Sequence, residues 1–91
     1  MEHQLEGFTI VVMTDGGDET TIHVKEDAFV LALMQEAVKK LYPQATYPVT
    51  EYSLTVDSSL FSPSEWQGKT VHELRIHHKS EIEIFGPAPK G

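Results

Sequence analysis

The sequence predicts an α+β fold, with a mixed four- to five-stranded sheet packed against one main helix. Three observations carry that expectation. Short segments rich in β-branched and alternating apolar residues recur near 8–13, 20–24, 52–56 and 81–85. A single stretch, 28–41, repeats its apolar residues at helical rather than strand period. The chain is 91 residues long, which suits one modest core and no second one.

Each element follows in order. Phe8-Thr9-Ile10-Val11-Val12-Met13 is β-branched and apolar and reads as a strand. Asp15-Gly16-Gly17-Asp18 is a strong turn signal, because glycine reaches positive φ without steric cost. Thr20-Thr21-Ile22-His23-Val24 alternates and should return antiparallel as a hairpin. Asp27 is placed to cap a helix from Ala28 to about Leu41 by accepting from free N–H groups of its first turn. Val30, Leu33, Met34, Ala37 and Leu41 line one face of it, with Leu31 and Val38 off the stripe. Lys39 and Lys40 suit the helix dipole and Pro43 stops the helix. A linker, 42–50, leads to Tyr52-Ser53-Leu54-Thr55-Val56, with Tyr52, Leu54 and Val56 inward. Asp57 to Gly68 reads as a long loop that holds Trp66 near the sheet edge. Glu81 to Phe85 is the last strand, with Ile82 and Ile84 inward. Residues 1–7 are expected to be a flexible N-terminus, 8–85 the folded domain and 86–91 a flexible tail.

Strand, strand, helix, strand, long loop, strand is the order of a β-grasp, in which first and last strands pair in parallel at the centre. Such pairing accounts for the nearly continuous apolar first strand. A ferredoxin-like fold would need a second long helix, and the sequence offers none.

Composition excludes several functions. Seven basic against fourteen acidic residues give a net charge of −7, and Arg75 is the only arginine. Phosphate backbones would repel such a chain, so nucleic acid is not an expected partner. The absence of cysteine excludes disulfides, thiolate metal sites and a cysteine nucleophile, and fits a reducing cytoplasm. No apolar run has the length of a membrane span, and Met1-Glu2-His3-Gln4 does not open a signal peptide, so a cytoplasmic protein without a membrane partner is expected.

Phe8 to Val24, turn glycine included, and Thr70-Val71-His72-Glu73-Leu74-Arg75-Ile76 before the last strand resemble the opening hairpin and the penultimate turn of ubiquitin-like proteins. The spacing from Ser80 to the final glycine also matches. The resemblance implies a protein modifier that is not itself an enzyme. A separate activating enzyme would adenylate the Gly91 carboxylate with ATP, which this chain does not bind as a cofactor. Conjugation to a target protein, and release by a deconjugating protease, would follow. Gly86, Pro87, Ala88, Pro89 and Lys90 are then the presented tail. Ubiquitin ends in two glycines, whereas this tail carries two prolines, which stiffen it and remove two backbone donors. Thr55 occupies the outward strand position corresponding to ubiquitin's isoleucine patch. Both departures point to a prokaryotic modifier with activating, conjugating and deconjugating enzymes of its own. A non-covalent adaptor is the alternative, and a sulfur carrier, which ordinarily ends in two glycines, is a third.

Other candidate sites have plainer explanations. Val11, Met13, His23, Thr55, His77 and His78 form a possible partner surface. Leu31, Val38, Phe61 and Trp66 add apolar surface that small domains usually tuck under their loops. His72, His77 and His78 are close in sequence, but adjacent histidines on extended chain point apart, and no set of metal ligands is completed. No nucleophile-elbow pattern surrounds Ser58, Ser59 or Ser62, and Gly16-Gly17 is a hairpin turn rather than a phosphate loop. Lysines 25, 39, 40, 69, 79 and 90 read as solvated side chains.

Overall fold

The first hairpin sets the frame. In a computed structural model that describes residues 7–87, β1 (Phe8–Thr14) pairs antiparallel with β2 (Glu19–Val24). Phe8 lies opposite Val24 and Met13 opposite Glu19. The turn closes through Thr14 N–H to the Asp18 carbonyl at 2.8 Å, with Gly17 at φ +96°. Few residues other than glycine adopt that φ readily, so the turn signal has a local cause.

Helix α1 (Val30–Leu41) crosses one face of the sheet and buries Val30, Leu33, Met34, Ala37 and Val38. Val38, read as lying off the main stripe, therefore belongs to the core. It stands four residues beyond Met34 and eight beyond Val30, inside the wide apolar stripe of a helix laid on a sheet. Leu31 alone of the two off-stripe residues stays exposed. Asp27 does not cap the helix. Phe29 holds the N-cap position in extended conformation, without a side-chain cap. The backbone of residues 69–72 supplies the missing partners instead. Val30 N–H donates to the Lys69 carbonyl, and Val71 and His72 N–H donate to the carbonyls of Ala28 and Glu26 (2.8–2.9 Å). A tertiary backbone clamp has replaced the local cap, and the helix starts two residues late.

After Pro43 the linker includes a 3-10 turn, Val49–Glu51, and β3 (Ser53–Val56) follows with Leu54 and Val56 buried. The expected long loop is structured. Asp57 and Ser58, both at positive φ, make a tight turn into β4 (Ser59–Phe61), which pairs antiparallel with β3. A one-turn helix, α2 (Pro63–Trp66), comes next. Glu65 Oε1 accepts the Ser62 N–H at 2.8 Å, the back half of a capping box, and proline occupies the helix start. Trp66, expected to tuck under this loop at the sheet edge, is fully buried, and its Nε1–H donates to the Tyr52 carbonyl at 2.7 Å.

The turn from Thr70 to Ile76 is built on a second capping box. Thr70 N–H donates to Glu73 Oε1 (2.8 Å) and Glu73 N–H to Thr70 Oγ1 (3.2 Å). Val71, Leu74 and Ile76 point into the core from it. The chain then enters β5 (Glu81–Phe85), which runs parallel to β1 and antiparallel to β3. Sheet order is β2-β1-β5-β3-β4, the five-stranded mixed sheet of a β-grasp. Ile10, Val12, Ile22, Leu54, Ile82 and Ile84 face α1.

Two outcomes test this packing. Trp66→Phe should lower unfolding free energy by about 1–3 kcal/mol through the unpaired Tyr52 carbonyl, with a further loss from the cavity, in urea titrations followed by circular dichroism. The N–H donors of Ser62 and Thr70 hold the Glu65 and Glu73 carboxyls below the usual carboxylate range. Depressed folded-state values mean stabilisation that is present above about pH 4.3 and lost as pH falls through them. A Glu65→Gln, Glu73→Gln double variant should show a shallower fall in stability below about pH 4.3 than the parent, and an equal slope would refute the assignment.

Candidate functional site

Two surfaces concentrate the residues that could do chemistry or bind. The first is the sheet face turned away from α1. Register places Glu19, Met13, Glu83, Thr55 and Leu60 in one row across all five strands. Thr21, Val11 and Glu81 form the next row. Side chains alternate across a strand, so these rows project outward together. Leu60 is 62% exposed and Val11 40% exposed, while Met13 and Thr55 are half-buried. Three glutamates interrupt the apolar groups, which gives the face a negative character.

His78 borders a shallow groove of about 590 Å³ on this face, together with Thr9, Val11, Met13, Thr21 and Glu81. The sequence-nominated Val11, Met13 and His78 are thus brought together. Thr55 lies on the same face, two strands from Met13 across Glu83. His23 stands opposite Thr9 on the edge strand β2, exposed. His77 does not join them. Its Nε2 faces Asp57 Oδ2 at 3.8 Å, and its backbone N–H donates to Ser80 Oγ at 2.8 Å, which closes the turn into β5. Asp57 holds the start of that strand as well, accepting the Glu81 N–H on Oδ1 at 2.8 Å.

The second surface is where the chain leaves β5. Gly86 is exposed and Pro87 half-buried; the remaining nominated residues, Ala88, Pro89, Lys90 and Gly91, lie outside the described residues. Gly86 opens onto a cleft of about 410 Å³ lined by Tyr42, Pro43, Gln44, Ala45, Thr46, Tyr47 and Tyr52. The Tyr42 and Tyr52 rings stand 5.4 Å apart, tilted by 47°. A Cβ at residue 86 would lie 3.4 Å from Tyr52 Cε2, so the ring stands beside the exit of the strand. Burial raises the Tyr42 phenol above its ordinary range, helped by Asp15, by Tyr52 and by Asp18 and Glu83. Burial and then Tyr47 raise that of Tyr52.

Among the described residues, no three of His, Asp or Glu gather as a metal site. His72 faces Glu26 at 3.9 Å, a pair separate from His77 and Asp57. Lys40 pairs with Glu36 at 3.1 Å on the helix surface. No helix is long and apolar enough to cross a membrane among the described residues.

Leu60 and the tyrosine cleft were not anticipated from sequence. Leu60 sits in a three-residue strand, too short to show a period, although Ser62-Pro63-Ser64-Glu65 was a readable helix-start signal. Tyr42, Tyr47 and Tyr52 are spread over eleven positions at no regular period, and only the folded linker brings them to one cleft.

No protein family profile matches the chain, and no curated protein does so either. Solved structures do. A designed protein based on ubiquitin superposes with a TM-score of 0.69 at 19% identity, over 92% of this chain and 93% of that one. The N-terminal ubiquitin-like domain of the 4931431F19Rik protein gives 0.69 at 13% identity, over 100% of this chain and 85% of the other. The Arabidopsis thaliana protein At2g32350 gives 0.66 at 16% identity, over 97% and 95%. Identities this low speak for architecture alone, and with the strand order and register above they show that the chain has the ubiquitin-like β-grasp fold.

Proposed function

We propose that this domain is a protein modifier of prokaryotic type, joined to its target through the carboxylate of Gly91 as the natural end or as an end exposed by trimming. The anchoring of the exit supports this reading most directly. β5 is hydrogen-bonded on both edges, by β1 and β3, and hands on an exposed Gly86 at the rim of the sheet. A tail fixed at such a point is offered to an enzyme without disturbing the core. In the proposed reaction the carboxylate attacks the α-phosphate of ATP held by the activating enzyme and pyrophosphate leaves. An enzyme thiolate then takes the acyl group with release of AMP, and a target nucleophile takes it from the thioester with release of the thiolate. Glycine at the reacting end leaves room for a narrow channel. Pro87 and Pro89 present no N–H, so enzymes that grip an extended tail through its backbone must be dedicated to this one.

The outward face favours a second reading, a non-covalent adaptor. Leu60 at 62% exposure and Val11 at 40% are large apolar groups open to solvent, rimmed by glutamates, and suit a protein partner with an apolar centre and basic rim.

These readings separate experimentally. With ATP and activating enzymes encoded by neighbouring genes, the parent chain should form adducts. Gly91→Val, or one residue added after Gly91, should slow adduct formation at least about tenfold, a loss of about 1.4 kcal/mol in the transition state. Adducts that survive both changes, or never form with the parent, reject the modifier. Leu60→Glu should leave the circular dichroism spectrum and the Gly91 reaction intact. Under the adaptor reading the same change weakens partner capture at least about tenfold.

A further inference from the structure

We propose that the tyrosine cleft is a docking site for a proline-rich segment of a partner protein, with a basic residue at one end of that segment. The cleft is part of a longer groove. A second hollow of about 490 Å³, lined by Gln35, Val38, Lys39 and Val49, shares Tyr42, Pro43, Ala45 and Tyr47 with the first. Hollows joined along a common aromatic wall suit an extended chain. The linker that builds this wall is braced. Pro43 and Pro48 fix φ within it, the Ala45 N–H donates to the Tyr42 carbonyl at 2.9 Å, and the Tyr52 N–H to the Val49 carbonyl at 3.1 Å. A wall ordered before binding loses little entropy when it is covered.

Proline-rich chain matches the cleft in the same respect, because its backbone is already extended and makes no internal bonds. Each proline offers only a carbonyl, an acceptor. The Tyr42, Tyr47 and Tyr52 hydroxyls and the Gln44 amide, all carried by residues of the cleft, are able to donate. Tyr47, 49% exposed, is the ring most open to a partner. A cage for a lone cation fits less well. Tyr42 and Tyr52 pack on each other at 5.4 Å, which leaves no gap for an ammonium group between their faces.

Charge sets the direction of the segment. Thr14 stands opposite Ile84 in parallel strands, so the Asp15–Asp18 turn lies at the same end of the sheet as Gly86. Burial, and then Asp15, Tyr52, Asp18 and Glu83, raise the Tyr42 phenol, so the three carboxylates cast a negative field over that ring. A cation there is attracted by both the carboxylates and the ring. Lys39 lines only the second hollow and repels a cation from that end. The basic residue therefore belongs at the Gly86 end, with the prolines running across Tyr42 and Tyr47. A chain of net charge −7 also draws basic partners from a distance. This site shares no lining residue with the groove on the outward sheet face and does not depend on the modifier or adaptor readings.

Nuclear magnetic resonance titration of the full chain tests the proposal with neither enzyme nor ATP. The probe is a capped peptide of lysine followed by oligoproline. Its controls carry glutamate for the lysine or glycine–serine for the prolines, and trimethyllysine amide is a separate probe. The lysine–oligoproline peptide should shift signals of Tyr42, Tyr47, Tyr52 and Gly86 and bind at least about tenfold more tightly than either control peptide. Its advantage over the glutamate peptide should vanish in about 1 M salt, which screens exposed charges. Tyr47→Ala should weaken binding at least about tenfold while the sheet amide spectrum is kept. A variant with Asp15→Asn and Asp18→Asn, which leaves the rings in place, should weaken the lysine peptide and spare the glutamate one. Leu60→Glu should leave peptide binding unchanged, so failure here and failure of the earlier readings are told apart. No shift at concentrations on the order of millimolar, or shifts centred on Val11 and Met13, overturn the proposal. Equal binding of the glycine–serine peptide, or tighter binding of trimethyllysine amide, overturns it too. So do cleft signals that move with protein concentration before peptide is added, because a second copy then fills the cleft.

Discussion

The parallel pairing of β1 with β5 is the constraint on which everything else rests. Parallel neighbours cannot be joined by a tight turn, so the chain between them must travel from one end of the sheet to the other. Here it does so through β2, α1, β3, β4 and α2, with β2 and β3 flanking the central pair in the sheet and β4 outside β3. The pairing covers one edge of β5, β3 covers the other, and Val12 and Thr14 stand opposite Ile82 and Ile84. It also places the β1–β2 turn and the exit of β5 at one end. The acidic turn and Gly86, which lines the tyrosine cleft, thus lie at one end for topological reasons.

Backbone groups of the connecting loops support that centre. Residues 69–72 reach across to 26–30 and satisfy the start of α1, while the Thr70–Glu73 pair holds their own shape. On the other side the Trp66 indole closes α2 onto the start of β3 through the Tyr52 carbonyl. Asp57 binds the first residue of β5 at both backbone groups, accepting from Glu81 N–H and donating its own N–H to the Glu81 carbonyl. A buried polar group left without such a partner costs more than the bond contributes when made, so each contact is a point of specificity as much as of stability.

Much of this was legible from residues alone, for identifiable reasons. Strand alternation put Tyr52, Leu54, Val56, Ile82 and Ile84 inward, and all five are buried, because period two leaves no choice once one face is covered. Asp27 misled because capping preference is a local bias, and the partner that overrode it lies more than forty residues away. β4 escaped notice because three residues show no period and its turn uses Asp57 and Ser58 at positive φ rather than the glycine such turns favour. The outward sheet face was half legible. Val11 and Met13 follow from alternation in β1, but their meeting with His78, and with Leu60 across the sheet, depends on register between strands far apart in sequence. The tyrosine cleft depends on the path of the linker, for which residues 42–50 carry no periodic signal.

The same central pair has a mechanical consequence. The chain enters β1 at Phe8 and leaves β5 at Phe85, and the two strands point the same way. Tension applied between those points slides the strands lengthwise past one another, loading the Val11–Glu81 to Thr14–Ile84 ladder all at once instead of peeling it open bond by bond. A force drawn through the tail therefore meets the sheet in shear, its most resistant direction, while the β3–β4 hairpin and the outer strand β2 lie off the line of load.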